Sequence, residues 1–482
     1  MVFVSLPFLL VFFPLCMLLY FTVNSIKAKN IVLLIFSLIF YSWGEPKYIL
    51  LLLLMSFADW SFALLMEKHT NRKKLFLILA CIVNLGLIGI FKYGVFVLTN
   101  FNHIFGVPSL IPEIALPIGI SFYTFQLLSY VVDVYRGDVK AQPKFYIVLL
   151  YASLFHQCIA GPIVRYKDVE RQLLARQASA TDINAGINRF CVGLAKKAVL
   201  SNMCGSLVES LIIPDNMLNT ADAVSIISQK SALSLWLGML MFALQIYLDF
   251  SAYSDMAIGM GRMIGIQYKE NFDYPYMSRS VSEFWRRWHI SLGSFFRDYV
   301  YIPLGGNRKG KARTYLNLFV VWALTGLWHG ASWNYILWGL YFFIFIALEK
   351  AFLGKALEKI KILSNIYLIV VVYFGWILFK FESMGEVAAV FRGMFGLNSN
   401  PVINFETTTV FKNNIFFIIV ACIAVCPIVK AISTRLKEKS LGSKPAMAVW
   451  SAATVLSPAV LIFISFINIV GSSYNPFLYF QF

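Results

Sequence analysis

Long apolar segments separated by short polar loops run along the whole chain. They lie near 3–21, 30–44, 46–66, 75–99, 112–135, 145–160, 186–213, 232–261, 315–347, 364–379, 409–430 and 447–470. A helix needs about 20 apolar residues to cross the hydrocarbon core of a bilayer, and most of these segments come close to that length. The pattern therefore predicts an all-α polytopic membrane protein.

The charges in the loops predict how the segments are oriented. Lys and Arg concentrate in the cytoplasmic loops of membrane proteins. Assigning every basic loop to the cytoplasm gives about ten crossings, with the N-terminus and the C-terminus both extracytoplasmic. The basic loops are 26–30, 67–74, 136–144, 165–176, 279–313, 349–361 and 430–444.

Two apolar segments, 145–160 and 315–347, have basic loops at both ends. Each of them must dip into the membrane and return, or form a tight hairpin. Irregular backbone at membrane depth survives only where protein buries it or water lines it. The pattern therefore predicts a central solvated cavity surrounded by the crossing helices.

The composition agrees with one integral membrane domain over residues 1–482. Hydrophobic residues make up 59% of the chain and charged residues 13%, against about 25% charged residues in soluble domains. The net charge of +17 lies in short loops, so positive-inside orientation explains it, and the lipid bilayer rather than nucleic acid is the expected partner. The seven cysteines lack the spacing of a disulfide framework or a metal site, and we expect neither.

The stretch WALTGLWHGASWNYILWG, residues 322–339, places an ionisable side chain among apolar residues. His329 lies between Gly326 and Gly330 and follows Trp328 directly. Ionisable residues at membrane depth are costly and by default mark a function, and imidazole suits proton transfer near neutral pH. The alternative interpretation is a neutral histidine that is hydrogen-bonded inside the bundle.

Residues 278–313 mix aromatic and basic side chains in a way that is typical of an interfacial helix. That interpretation does not explain His289, which we expect to reach the cavity from the cytoplasmic side. The following loop, GGNRKGKAR, contains Arg308, Lys309 and Lys311. Lipid headgroups are one partner for this loop. An anionic donor, such as a coenzyme pyrophosphate or an acidic carrier protein, is the other.

A third polar cluster lies in the apolar stretch QIYLDFSAYSDMAIGMGR, residues 245–262. Gln245, Asp249 and Tyr253 are four residues apart and share one helical face, and Asp255 follows. Carboxylates inside a membrane face cavities or partners rather than lipid. Such a set suits a proton relay in a transporter, or support for a histidine in an enzyme.

The chain ends in GSSYNPFLYFQF, residues 471–482, which contains five aromatic residues and no charge. Proline cannot continue a helix, so Asn475-Pro476 is expected to end the last apolar segment. Aromatic side chains are common at membrane interfaces, and the loop charges place this tail on the extracytoplasmic side. An aromatic anchor is the simplest interpretation.

The stretches FWRRWHISLGSFFRDYVYIPLGGNR and LTGLWHGASWNYILWG resemble the membrane-bound O-acyltransferase family, most closely its bacterial alginate O-acetylation branch. The resemblance extends over nearly the whole chain and implies a ring of helices around a thin centre. His329 matches the defining histidine of the family, and His289 matches its second recurring histidine. The ending PFLYFQF is similar to a C-terminal motif of related acylation systems, which implies that Tyr479 relays the acyl group as an ester.

The resemblance implies that an acyl group moves from a cytoplasmic thioester to a hydroxyl outside the cell. His329 would take the hydroxyl proton as a general base. A tryptophan N–H, Asn334 or His289 would stabilise the oxyanion.

We expect acetyl-CoA as the donor, with an acyl carrier protein as the alternative, and no bound cofactor. Expected partners are an extracytoplasmic acetyl-transferring protein and a polysaccharide, at a bacterial inner membrane. D-alanyl transfer to teichoic acid is the alternative within the class, and a proton-coupled transporter or flippase is the alternative outside it.

Overall fold

The computed structural model describes residues 1–106, 114–158, 161–357 and 359–471. These residues form helices joined by turns and loops, and no strand occurs within those ranges. The prediction of an all-α membrane protein is therefore confirmed. The α-helices are α1 Phe13–Thr22, α2 Ile26–Gly44, α3 Ile49–Lys68, α4 Lys73–Ile88, α5 Gly94–Phe105, α6 Ile120–Arg136, α7 Phe145–Ser153, α8 Phe155–Cys158, α9 Tyr166–Leu174, α10 Ala180–Ala195, α11 Asn202–Leu211, α12 Ala223–Ser228, α13 Ala232–Met263, α14 Val281–Arg287, α15 Ile290–Phe296, α16 Lys311–His329, α17 Trp333–Leu348, α18 Gly354–Leu357, α19 Lys361–Lys380, α20 Met384–Met394, α21 Phe405–Ala424, α22 Ile428–Ser440 and α23 Lys444–Gly471.

Wider and tighter helical turns extend several of these α-helices. A π-helical segment adds a residue to the local turn and is often found at functional or strained positions. One of them joins α10 to α11, so that helical backbone is continuous from Ala180 to Leu211. The π-helical segments are Phe8–Phe12, Gly89–Tyr93, Lys196–Ser201, Arg297–Tyr301 and Glu349–Leu353, and the 3₁₀ segments are Thr70–Arg72, Asp215–Met217 and Pro275–Met277.

Eight helical segments among the described residues are long and apolar enough to cross a membrane. The chain is thus a multi-pass membrane protein, while the count of about ten crossings stays a prediction. Large apolar side chains on the outer helices are exposed, as lipid contact requires, and Phe416 of α21 is 82% exposed. The segments are Ile26–Gly44, Ile49–Lys68, Thr70–Phe105, Ala232–Met263, Trp333–Leu357, Lys361–Lys380, Phe405–Ala424 and Lys444–Gly471.

The two apolar segments with basic loops at both ends do not form single straight spans. Helix α7 has nine residues, which gives it a length of about 14 Å. The hydrocarbon core of a bilayer is roughly 30 Å thick, so α7 alone cannot cross it. The segment 315–347 is a hairpin in which α16 packs against α17, and only residues 330–332 lie between the two helices.

Packing divides the chain into two compact units. The first unit consists of residues 1–190, 253–270 and 294–300, and the second of 191–252, 271–293 and the residues from Tyr301 onward. One integral membrane domain over 1–482 stays a prediction.

Aromatic side chains form much of the core of the first unit. Phe8 and Phe40 lie 5.8 Å apart between ring centroids, and Phe12 lies 5.4 Å from Phe155 in an edge-to-face arrangement. Edge-to-face contacts of this kind stabilise packing beyond the apolar area that they bury. They hold the N-terminal helices against the short helix α8.

The second unit has one continuous apolar core, which extends from α11 through α13 and α14 to the helices α16, α17 and α19–α21. Trp338 and Trp376 are among its largest buried side chains, each 1% exposed. Trp338 belongs to the hairpin and contacts both Trp376 and His329, so two of the largest buried side chains of this unit lie near the histidine singled out from the sequence.

Two loops of the second unit, 212–231 and 380–408, are poor in Lys and Arg and are therefore predicted to be extracytoplasmic. These two parts of the chain are hydrogen-bonded to each other. The side-chain amide of Asn398 donates to the carbonyl oxygens of Ser228 and Lys230, each at 3.1 Å. The backbone N–H of Leu233 donates to the carbonyl of Val402 at 2.9 Å. Segments that bond in this way lie on one side of the membrane, and which side that is stays a prediction.

Candidate active site

Close backbone packing places His329 at the end of the first helix of the hairpin. A Cβ atom on Gly326 would collide with the carbonyl oxygen of Tyr335, and one on Gly339 would collide with that of Trp322. Glycine at both positions lets α16 and α17 approach each other closely. His329 is the last residue of α16, so the geometry of the hairpin determines where its imidazole lies.

The side chain of His329 is enclosed by aromatic rings. Its imidazole centroid lies 4.9 Å from the ring of Trp338, 5.2 Å from that of Phe379 and 5.0 Å from that of Trp328, and all three contacts are edge-to-face. His329 is 8% exposed. The imidazole therefore lies in apolar surroundings that exclude most solvent, so that bulk water does not compete in a proton transfer.

His289 lies in the same unit, at the junction between α14 and α15. Its backbone has φ +46°, the left-handed region that non-glycine residues seldom adopt. Its imidazole meets the ring of Phe250 edge-to-face at 4.7 Å and that of Trp328 at 5.7 Å. Trp328 therefore contacts the imidazoles of both histidines that the sequence singled out.

An asparagine and a serine lie close to the imidazole of His289. Its Nδ1 atom lies 3.3 Å from Oδ1 of Asn271 and 3.3 Å from Oγ of Ser291. His289 lies outside the candidate membrane spans. Burial lowers its pKa to about 3, because an apolar environment disfavours the charged imidazolium. The imidazole is therefore neutral at physiological pH.

A buried carboxylate anchors the segment that carries His289. Glu349 accepts hydrogen bonds from the backbone N–H of Val281 at 2.5 Å and from the N–H and hydroxyl of Ser282 at 2.9 and 2.6 Å. These donors lie at the N-terminus of α14, where a negative charge is favoured. Trp285 of the same helix packs edge-to-face against Trp338 at 5.4 Å. Together these contacts fix α14 against the hairpin.

The carboxylates proposed from the sequence lie in ion pairs. Asp249 accepts from Nζ of Lys197 at 2.7 Å, and both side chains are only 2% exposed. In the first unit, Arg189 pairs with Asp255 at 3.0 Å and with Glu270 at 2.5 Å. Both carboxylates thus have cationic partners, and their role in supporting a histidine stays a prediction.

The remaining supporting residues have packing partners. Tyr253 stacks on Phe3 in the first unit, with ring centroids 4.3 Å apart. Asn334 is fully buried in the second unit, and its side-chain amide donates to the carbonyl of Leu378 at 3.3 Å. That bond ties α17 to α19 and engages one of the two N–H groups of Asn334.

The basic loop before α16 is built on glycines and remains exposed. Gly305, Gly306 and Gly310 have φ of +108°, +57° and +87°, which L-residues with a Cβ rarely adopt. The side-chain amide of Asn317 donates to the carbonyl of Gly306 at 2.9 Å and so fixes the loop to α16. The loop carries three exposed cationic residues, Arg308, Lys309 and Lys311. They are accessible to an anionic partner.

Tyr479 lies outside the described residues. Sequence reasoning did not identify Asn271, Glu349 or Lys197. Lys197 could have been found, because it is a basic residue inside the apolar stretch 186–213. No group of three or more histidine, cysteine or carboxylate side chains within the described part of the chain has the geometry to bind a metal ion.

Known proteins similar to this chain show its family. Residues 136–384 match the model of the membrane-bound O-acyltransferase family. The chain belongs to this family. The sequence prediction of an O-acyltransferase is thereby confirmed, and the membership displaces the transporter hypothesis.

Relatives with named activities cover the chain to different extents. The probable alginate O-acetylase AlgI of Pseudomonas putida is 33% identical, with all of both chains aligned. The peptidoglycan O-acetyltransferase of Helicobacter pylori is 32% identical over 98% of this chain and 96% of its own length. The teichoic acid D-alanyltransferase of Bacillus subtilis is 27% identical over 55% of this chain and 67% of its own length.

Proposed function

We propose that this chain transfers an acetyl group from a cytoplasmic thioester to a hydroxyl of an extracytoplasmic polysaccharide or partner protein. His329 is the base in this reaction. The observation that carries the proposal is the position of His329, a buried imidazole at the end of a close-packed hairpin and enclosed by three aromatic rings. An alcohol attacks a thioester slowly unless a base takes its proton.

The proposed reaction forms one carbon–oxygen bond, breaks one carbon–sulfur bond and moves one proton through His329. The hydroxyl oxygen bonds to the thioester carbonyl carbon while its proton passes to His329. The carbon–sulfur bond then breaks, and the leaving thiolate takes the proton from His329. The products are an ester and a free thiol, and neither an oxidant nor a bound cofactor is required.

Trp338 is the proposed donor to the oxyanion that forms during this transfer. Its ring lies 4.9 Å from that of His329, and it is 1% exposed. Its indole N–H has no hydrogen-bond acceptor within the part of the chain that the structure describes. A buried donor that is in place before the reaction stabilises charge that develops in the transition state.

Acetyl-CoA is the proposed donor, with an acyl carrier protein as the alternative. Both are anionic, and Arg308, Lys309 and Lys311 offer exposed positive charge at the start of α16. The relatives named for acetylation align with essentially the whole chain, whereas the D-alanyltransferase of Bacillus subtilis covers 55% of it. This difference in coverage favours acetyl over D-alanyl. The names of the relatives from Pseudomonas putida and Helicobacter pylori favour a polysaccharide as the final acceptor.

The proposal includes a relay through Tyr479 and a partner outside the membrane. Tyr479 accepts the acetyl group as an ester and passes it to an extracytoplasmic acetyl-transferring protein. This requires an extracytoplasmic C-terminus, and we propose that orientation, with the N-terminus on the same side, in a bacterial inner membrane. Mass spectrometry of the C-terminal peptide tests the relay. An acetyl group on Tyr479 supports it, an alanyl group changes the donor class, and an unmodified peptide that persists when the acceptor is withheld contradicts the relay.

His329→Ala tests the proposed base. Purified protein in liposomes with acetyl-CoA should lose thiol release by roughly 10²- to 10⁴-fold, the usual contribution of a positioned base. His69→Ala is the matched control, because His69 is an exposed histidine at the end of α3. Unchanged thiol release in a correctly inserted His329→Ala protein would contradict the assignment.

A further inference from the structure

The conformation of His289 is held from outside its own helices. A residue with a Cβ keeps a left-handed backbone only when its surroundings impose it, and such positions cluster at functional sites. The backbone of Asn271 imposes it here, because its carbonyl oxygen accepts the N–H of Ile290 at 3.0 Å. The segment around Asn271 and the junction of α14 and α15 are therefore fixed to each other directly beside the imidazole.

The side chain of Asn271 adds two bonds that determine which way its amide points. Its Oδ1 accepts the backbone N–H of Ser291 at 3.1 Å and the hydroxyl of Ser291 at 2.8 Å. A backbone N–H can only donate, so the atom that faces Ser291 must be the amide oxygen rather than the nitrogen. The orientation of the Asn271 amide is thus assigned by its neighbours.

This orientation determines where the hydrogen of His289 lies. Two side-chain oxygens lie close to Nδ1, Oδ1 of Asn271 and Oγ of Ser291, each at 3.3 Å. The Ser291 hydroxyl donates its hydrogen to Asn271, so both neighbours present lone pairs to Nδ1. Nδ1 must therefore carry the hydrogen. A neutral imidazole has one N–H, which leaves Nε2 with a lone pair.

The lone pair on Nε2 lies in a buried position. His289 is 1% exposed, and Nε2 has no hydrogen-bond partner within the described ranges of the chain. A buried acceptor without a partner is costly. The structure thus offers a buried acceptor beside Trp328, the residue that also contacts His329.

We propose that Asn271 is a positioning residue that fixes His289 with its hydrogen on Nδ1, so that Nε2 accepts a hydrogen bond from an O–H or N–H of a substrate. This inference rests on the proposed function, because it places the substrate of that reaction at Nε2. It removes His289 from the candidates for the oxyanion donor, since a nitrogen without hydrogen cannot donate. It also separates the two histidines, with His329 taking a proton and His289 orienting a substrate.

The tautomer can be measured without any assay of acyl transfer. The chain contains five histidines, so ¹⁵N-histidine labelling of the full-length protein in detergent gives a short set of imidazole signals. His289→Gln identifies the signals of His289. We expect Nδ1 protonated and Nε2 unprotonated in the wild type and in Asn271→Asp, which keeps the acceptor oxygen, and a changed or mixed tautomer in Asn271→Ala. Asn30→Ala is the matched control, a buried asparagine of the first unit that bonds to Leu173.

A hydrogen on Nε2 of His289 in the wild type would overturn the proposal, whatever the protein does with a thioester. An unchanged tautomer in Asn271→Ala would overturn the role of Asn271. If Asn271→Ala does not fold, the wild type still decides the tautomer, and a changed tautomer in Asn271→Asp would overturn the role of the acceptor oxygen. Because these signals are independent of turnover, their failure is distinguishable from failure of the proposed acyl transfer.

Kinetics with acetyl-CoA then test the positioning role. Asn271→Ala should lower turnover by on the order of 10- to 100-fold, part of the contribution of a correctly oriented histidine. It should cost little further in a His289→Gln background, because a residue that acts through His289 has nothing left to position. Equal losses in both backgrounds would contradict the proposal. If the KM for acetyl-CoA rises, the group that donates to Nε2 of His289 is an N–H of acetyl-CoA. If the KM is unchanged and kcat falls, the group is the hydroxyl of the acceptor.

Discussion

The buried ion pair between Lys197 and Asp249 allows a quantitative prediction about the second unit. The two charged atoms are 2.7 Å apart, and each side chain is 2% exposed. Their attraction is about 6 kcal/mol at an effective dielectric constant of about 20. Removing each ion from water costs several kcal/mol. The two effects nearly cancel, so the intact pair contributes little net stability.

Removal of one partner has a much larger effect than removal of both. Lys197→Met leaves the carboxylate of Asp249 buried without this cation, and Asp249→Leu leaves the ammonium group without this anion. Each single substitution should lower the free energy of unfolding by about 3–5 kcal/mol. The double substitution should be close to the wild type or more stable, because apolar side chains of similar size replace two ions.

The order of the melting temperatures checks this reasoning. The four proteins are purified in one detergent, heated in steps, and assayed by the remaining monodisperse peak in size-exclusion chromatography. A double variant that is as unstable as the single variants would refute the argument. Thiol release from acetyl-CoA by the double variant gives a second result. A stable double variant that has lost turnover would assign the Lys197–Asp249 pair to the chemistry, and retained turnover would assign the pair to structure alone.

Three further substitutions test other contacts of the site. Trp338→Phe keeps the ring and removes the proposed oxyanion donor, so kcat should fall by about 10²–10³, and full turnover would exclude the indole N–H. Glu349→Gln replaces an acceptor oxygen at the start of α14 by a donor and should cost about 2–4 kcal/mol of stability. The loss is measured as a lower melting temperature. An unchanged melting temperature would show that α14 does not depend on this carboxylate. Gly326→Ala should destabilise the hairpin, because the added Cβ collides with the carbonyl of Tyr335. Gly86→Ala is its control, since nothing lies within 4 Å of the Cβ position there, and equal melting temperatures for the two variants would contradict close packing as the reason for Gly326.

The hairpin and its histidine could be predicted because their signals are local in the sequence. Basic loops on both sides of 315–347 require the chain to return to the side from which it came. Gly326 and Gly330 flank His329 in the sequence itself. A pattern formed by neighbouring residues can be recognised without knowledge of the fold. The stretch around His329 is also part of the motif that resembles the family.

The partners of the site residues could not be predicted, because they come from distant parts of the chain. Lys197 and Asp249 lie on different helices, and the sequence of neither helix indicates that the two residues pair. Asn271 is a polar residue in a loop, where no periodicity distinguishes an orienting amide from a solvated one. The left-handed backbone of His289 also has no reliable sequence signal, since only about a few per cent of non-glycine residues adopt such a conformation, although histidine is enriched among them.

The sequence also did not predict the helices that lie in segments interpreted as loops. Residues 428–440 and 384–394 are helical, although both fall largely in segments interpreted as loops. Their charged residues reduce the mean hydropathy, but charge does not prevent helix formation outside the hydrocarbon core. The alternation of apolar and basic segments predicts membrane boundaries better than it predicts helix ends.

In the proposed reaction, the length of α16 sets the reach that the acyl donor must have. The helix runs from Lys311 in the basic loop to His329, a rise of about 27 Å. A donor whose anionic group is held by the loop can deliver its acyl carbon to the imidazole only through an extended arm of comparable span. Small activated acetates lack such an arm. In the proposed reaction, the length of the helix would discriminate between donors by the length of their arm. One added residue would shift the histidine by about 1.5 Å and rotate it by about 100° away from the aromatic rings around it.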